Sequence, residues 1–139
     1  MWPMKIKIVQ VGKTKREYED LEAEFLKMLK AFCEVETVTV KELSGDTRAL
    51  EGGYLVVLDE GGREVTSVEF AEVLKGCEAH GRITFVIGGA FGLDEAVREK
   101  ADLVLSLSRM TFTHQMVRVF LLEQIYRGFC IMKGRDYHH

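Results

Sequence analysis

Two short stretches hold most of the residues able to do chemistry. Residues 85–93 read FVIGGAFGL, an apolar run that meets Gly88, Gly89 and Gly92. Glycine lets the backbone turn sharply and approach a ligand closely, because no Cβ intervenes. If the apolar run is a strand, the glycines lie at its carboxyl end, where open α/β sheets hold their ligands. The spacing matches neither the dinucleotide fingerprint nor a P-loop, whose Lys and Ser/Thr are missing. It suits a ligand held by backbone groups, and equally a tight strand-to-helix turn. Residues 106–114 read SLSRMTFTH and pack four hydroxyls and a histidine ahead of a long helical pattern. Hydroxyls at such a boundary commonly cap the helix. His114 stands where the positive end of the helix dipole favours a neutral imidazole able to accept a proton.

Two further segments carry reactive groups. Residues 114–132, HQMVRVFLLEQIYRGFCIM, are apolar in nearly every direction, with Arg118, Glu123, Gln124 and Arg127 scattered among them. A helix apolar all round is buried on more than one side. One side suits a sheet, and the economical cover for the other is a partner subunit. Glu123 and Arg127 stand at i,i+4 and can pair, while Arg118 lies one turn after His114. The tail GRDYHH holds Tyr137 and His138, whose rings suit base stacking against a polyanion or, as in many termini, no fixed contact at all.

The elements that position these residues follow from periodicity. Residues 5–11, 35–40, 54–58, 83–87 and 103–106 read as strands, rich in β-branched residues or continuously apolar. Residues 17–32 repeat apolar side chains at helical spacing, through Leu21, Phe25, Met28, Leu29 and Phe32. Thr66 with Glu69 forms a capping-box signature for a helix through about Cys77. Residues 94–100 and 114–132 complete the helices, 41–53 form a connector and 59–63 a turn. Strands alternating with helices indicate a single α/β domain, residues 1–139, with a mostly parallel sheet flanked by helices.

The composition bounds the classes available. Of 139 residues, 47% are hydrophobic and 29% charged, the balance of a soluble globule. No apolar run approaches the ~18 residues of a membrane span, and the N-terminus has no signal-peptide pattern. Cys33, Cys77 and Cys130 are odd in number and widely spaced, which favours neither a disulfide framework nor a zinc site and points to a reducing, cytoplasmic compartment. No metal and no membrane are expected. A net charge of −3 argues against a general nucleic-acid binder, although residues 107–139 carry five Lys or Arg against two acids, an asymmetry compatible with an anionic partner at that end.

The stretch FVIGGAFGL, then SLSRMTFTHQMVRVFLLEQIYRGFCIMKG, then a terminal YH together resemble the RlmH-type family, SPOUT-class pseudouridine N3-methyltransferases of large-subunit ribosomal RNA. The opening MKIKIVQVGK and the LDEGG turn, followed by a helix containing EFA, fit as well, so the resemblance spans essentially the whole chain. It implies an α/β domain with a C-terminal trefoil knot, a homodimer, and an S-adenosyl-L-methionine pocket in the knot at the subunit interface. The substrate it implies is a hairpin loop of large-subunit rRNA in the assembled ribosome. By motif position the cofactor pocket takes Leu58, Gly88, Gly89, Leu107, Ser108, Arg109, Met110, Thr111 and Phe112. Around the target base the resemblance places His114 as proton acceptor, Arg127 to stabilise negative charge on the uracil ring or fix a phosphate, and Tyr137 and His138 to close over the base from the neighbouring subunit. Two departures stand out. Thr113 replaces the proline of a T-x-P-H pattern, which frees the backbone before His114, and residues 44–53 are shorter than in typical members. Thr113 and the acidic balance motivate a competing expectation, a non-catalytic dimeric ribosome- or RNA-binding module that retains the fold. The glycine turn alone supports a third, a Rossmann-type nucleotide binder.

Overall fold

Five strands run parallel in one sheet in the computed structural model, which describes residues 4–89 and 93–137. They are β1 (Met4–Val11), β2 (Cys33–Val40), β3 (Tyr54–Glu64), β4 (Arg82–Ile87) and β5 (Leu103–Ser106), in the order β2-β1-β4-β3-β5. Helices α1 (Arg16–Leu29), α2 (Ser67–Gly76), α3 (Glu95–Lys100) and α4 (His114–Met132) connect and cover them. Parallel strands need crossover connections, so helices lie on the faces and the central strands become apolar on both sides. On one face Ile6, Ile8, Val56, Leu58, Ile83, Phe85 and Leu105 pack with Leu29 of α1, Phe70 and Leu74 of α2, and Leu121, Leu122, Ile125 and Phe129 of α4. On the other, Val9, Leu55, Val57 and Val86 meet Leu50 and Val97. Val97 comes from α3 and Leu50 from a single 3-10 turn, Arg48–Leu50, inside the expected connector.

Two boundaries differ from the sequence reading. α1 stops at Leu29, and Phe32 lies beyond its end, yet its ring still stacks on Phe129 with centroids 5.5 Å apart. Helical spacing persisted because the turn that follows aims Phe32 at the same core. β3 is longer than the apolar run. Its pairing with β5 breaks at Leu58, where Leu58 lies opposite Leu105, and resumes at Arg63, so the polar residues 59–62 form a bulged bend rather than a strand-ending turn. Gly62 permits this close passage. A Cβ there would lie 2.7 Å from the Val104 carbonyl oxygen and 2.9 Å from the Leu105 carbonyl carbon. The Thr66–Glu69 capping box forms as expected, with Glu69 N–H donating to Thr66 Oγ1 at 3.1 Å and Thr66 N–H to Glu69 Oε1 at 2.8 Å. It starts the helix that α4 packs against.

Candidate active site

The carboxyl ends of β3 and β4, the segment after β5 and the first turn of α4 enclose a cavity of about 590 Å³. Leu58, Asp59 and Glu60 come from β3, and Gly88 and Gly89 follow β4. Strand pairing sets Leu58 beside Ile87, so both chain ends open into the same space. Gly89 lies close to β1, where an added Cβ would meet Val11 Cγ1 at 3.2 Å. Leu107, Ser108, Met110, Thr111, Phe112 and Thr113 form the opposite wall, and His114, Gln115 and Val117 of α4 close it together with Lys15.

The hydroxyls of residues 106–113 shape this wall. Ser106 Oγ donates to the Ser108 carbonyl at 2.9 Å, Ser108 Oγ accepts from Met110 N–H at 3.0 Å, and Thr111 Oγ1 donates to Glu60 Oε2 at 2.6 Å. That last bond ties the wall to the bend of β3. The neighbouring Asp59 accepts from Gly61 N–H at 3.1 Å and pairs with Arg98 of α3 at 3.0 Å. Both acids at the mouth are therefore engaged. Thr113 caps α4, accepting from Met116 N–H at 3.4 Å, with φ −63° and ψ 150°. The expectation that threonine loosens the approach to His114 is corrected here. The backbone already takes the φ that a proline ring would impose, and the cap holds it there.

Eight of the residues expected to contact a cofactor line this one cavity, with His114 half-buried among them. Arg109 is the exception. Its side chain is 82% exposed and points to Glu64, 3.7 Å away. Arg127 and Tyr137 lie elsewhere. Arg127 stands thirteen positions along α4 from His114, about 20 Å along the axis at 1.5 Å per residue. Arg127 takes up the expected i,i+4 pairing, with its Nη2 2.7 Å and its Nε 3.0 Å from Glu123 Oε1. Those hydrogen bonds push its pKa up further. The Tyr137 ring lies 4.9 Å from the Arg127 guanidinium and edge-on to Tyr126 at 4.8 Å. Partial burial, and then the charge of Glu123, raise the Tyr137 pKa and keep its phenol neutral. His138 and Gly92 fall outside the described residues.

A polar chain that the sequence reading did not anticipate lies behind the cavity. Arg118, only 5% exposed, pairs with Glu22 of α1, itself 3% exposed, and donates through Nη1 to Gln10 Oε1 at 2.6 Å. Burial works against the guanidinium charge and lowers its pKa, and Glu22 is the counter-charge that offsets it. Gln10 in turn donates to Thr14 Oγ1 at 3.3 Å. Gln115 accepts from Lys15 N–H and donates to the Lys13 carbonyl, both at 3.1 Å. A glutamate in a surface-like helix pattern and a glutamine after a histidine give no hint of burial, so no sequence signal marked these groups.

A second hollow of about 510 Å³ shares Leu107, Ser108 and Phe112 with the first and runs along α4 to Phe120, Glu123 and Gln124. At its edge Phe112 meets Phe120 edge-on at 5.2 Å, and Met110 is 72% exposed. Among the described residues no three His, Cys, Asp or Glu side chains group to hold a metal, and no helix is long and apolar enough to cross a membrane. Cys33, Cys77 and Cys130 are buried free thiols.

The chain is similar to known proteins over nearly its whole length. A family model described as "Predicted SPOUT methyltransferase" matches residues 4–138. A protein of Halothermothrix orenii named "Ribosomal RNA large subunit methyltransferase H" is 40% identical, over 97% of this chain and 99% of its own length. Proteins of the same name from Symbiobacterium thermophilum and Pseudothermotoga lettingae are 42% and 36% identical, over 97% and 98% of this chain and 99% and 100% of their own lengths. Among solved structures, one described as that of "a probable methylase family protein from Haemophilus influenzae Rd KW20" superposes with a TM-score of 0.62 at 12% identity, covering 98% of this chain and 70% of that one, a likeness of fold.

Proposed function

Since the chain belongs to the SPOUT methyltransferase family, we propose that it methylates N3 of a pseudouridine in a hairpin loop of large-subunit ribosomal RNA, using S-adenosyl-L-methionine and acting in the cytoplasm on the assembled ribosome. The observation that carries this reading is the cavity itself. Residues from three separate parts of the sequence, around Leu58, Gly89 and Leu107 to Phe112, meet in a space of about 590 Å³ with His114 at its edge. The names of the relatives support ribosomal RNA as the substrate class.

The residues present fit the cofactor. Its adenine and ribose need apolar walls and backbone hydrogen-bonding groups, and Leu58, Leu107, Gly88 and Gly89 offer them without side-chain bulk between backbone and ligand. When bound there, the group supplies a methyl already activated by its sulfonium charge. The chain's task is then alignment and proton removal. Holding the methyl within ~3 Å of N3 and in line with the breaking bond is worth several kcal/mol. As N3 gains the methyl group it must lose its proton, and His114 is the side chain placed to accept it.

Arg127 and Tyr137 complete the site from a second copy of the chain. With Arg127 about 20 Å along α4 from its own His114 and Tyr137 beside it, they reach a target base only if a homodimer sets one protomer's tail across the other's cavity. The exposed Met110, Phe112 and the hollow along α4 are apolar surface suited to such a partner. Arg127 would then stabilise charge developing on the uracil ring, and Tyr137 with His138 would stack on the base. Radiolabelled methyl transfer to ribosomes lacking the modification, followed by nucleoside mapping, tests the reading. Label in N3-methylpseudouridine is expected, and absence of both transfer and cofactor binding would end it.

A further inference from the structure

We propose that the loop carrying Lys13, Lys15 and Arg16 is a preorganised phosphate clamp that docks the RNA acceptor at the rim of the methyl-transfer cavity. The inference rests on the reading of the acceptor as ribosomal RNA. It begins with where the exposed positive charge lies. Residues 107–139 hold five Lys or Arg against two acids, but Arg118 is buried against Glu22, Arg127 pairs with Glu123 and Arg109 with Glu64, and the exposed Lys133 and Arg135 follow the far end of α4 from the cavity. In the loop between β1 and α1 and at the first residue of α1, by contrast, Lys13, Lys15 and Arg16 are all exposed, and none has an acidic partner among the described residues. Glu17, Glu19 and Asp20 follow in α1, exposed and solvated. At the cavity mouth Glu60 is bound by Thr111 and Asp59 by Arg98.

The loop is held from inside. Gln115, 3% exposed, clasps its backbone at both the Lys13 carbonyl and the Lys15 amide. Gln10 binds Thr14 and is itself fixed by Arg118, which Glu22 balances. Burying this many polar groups costs free energy, and a buried ion pair seldom recovers its desolvation cost as net stability. What the arrangement yields is position. The backbone and Thr14 are fixed, the three cationic side chains stay in water, and Lys15 reaches the wall that also holds His114. Cationic side chains carried on a backbone fixed in advance leave only their own rotamers to order on meeting a phosphate. Phosphate contacts set the register of a nucleic acid without reading its sequence, which is what delivery of one base into a cavity requires.

The test replaces Lys13 and Arg16, both on the surface and outside the cavity, with glutamine. Binding of ribosomal particles lacking the modification is measured by co-sedimentation across a salt series, methyl transfer is followed on the same particles, and S-adenosylhomocysteine binding is followed by calorimetry. For Lys13→Gln/Arg16→Gln, the dissociation constant for particles rises about tenfold near 0.15 M salt. Its log–log salt dependence becomes shallower by about 1.4, the contribution of two contacts to a single strand, and cofactor affinity stays unchanged. Gln115→Met keeps the cations but cuts the tether, and it weakens particle binding in the same direction. Unchanged particle affinity and salt dependence in the double variant, or a loss matched by weaker cofactor binding, overturns the proposal. Loop-dependent particle binding without methyl transfer by the wild type would sink the functional reading and leave the clamp standing. Methyl transfer with an unaltered KM in the double variant would do the reverse.

Discussion

At the scale of single residues, the site turns on His114 and the threonine before it. His114→Ala removes the side chain proposed above to take the acceptor's proton. Methyl transfer should fall by about 10²–10⁴-fold, the usual worth of a positioned base, while binding of adenosylhomocysteine is retained. Single-turnover transfer and calorimetry on the same preparation check this. Thr113→Pro should be nearly neutral. It loses the cap to Met116, about 1 kcal/mol, and recovers roughly 0.4–1 kcal/mol by stiffening the unfolded chain at a φ that is already −63°. Urea unfolding is expected to shift by less than about 1 kcal/mol, with methyl transfer retained. That eight of the nine proposed cofactor positions line one cavity was legible in the sequence, because they fall in contiguous stretches whose glycines and hydroxyls have a physical reason to be there. Arg109 was not separable from its neighbours. A loop has no period, so nothing in the order Leu107, Ser108, Arg109, Met110 states which side chain turns outward. Gln115 and Glu22 were illegible for a related reason, since their burial is decided by partners roughly 100 residues away from each other's contacts in the chain.

At the scale of elements, α4 is locked to α1 by one buried ion pair. Glu22→Ala leaves the Arg118 charge uncompensated in the core and should cost about 3–5 kcal/mol of stability, read as a lower urea midpoint at similar slope. Replacing both partners with apolar residues of similar size, Glu22→Leu with Arg118→Met, should restore most of it, because no orphaned charge remains. β3 and β5 depend on Gly62 in the same way that α4 depends on Glu22. Gly62→Ala drives a Cβ into the backbone at Val104, where nothing flexible can give. Helices and strands themselves were readable, since their periods of 3.6 and 2 are local. The length of β3 was not. Residues 59–62, Asp-Glu-Gly-Gly, have turn composition, and only the second encounter with β5 shows that the strand continues.

At the scale of the whole molecule, both faces of the sheet are closed and the thiols sit inside. Burial pushes the Cys33 thiol up to about 12 and, together with the charge of Asp102, the Cys77 thiol up to about 11. In the unfolded chain both ionise near 8.5–9. Raised folded values mean that the folded state holds protons the unfolded chain releases, so stability is full below about pH 9 and declines as pH rises toward 11–12. Thermal unfolding followed at pH 8 and pH 10.5 should show that decline. The alternation of elements announced a parallel sheet, but its order did not follow from pattern. β1 pairs with β2 and with β4, and no local signal relates residues 5–10 to residues 82–87. The roof over this sheet has a consequence for how the protein is made. α4 packs on both α1 and α2 and comes after every strand in the chain. During synthesis at ~5–20 residues per second, the floor formed by Ile8, Val56 and Phe85 is covered only in part, by α1 and α2, until this last helix clears the exit tunnel. A chain that ends before His114 therefore keeps five strands with a sticky, half-covered surface, a product fit for proteolysis and not for service.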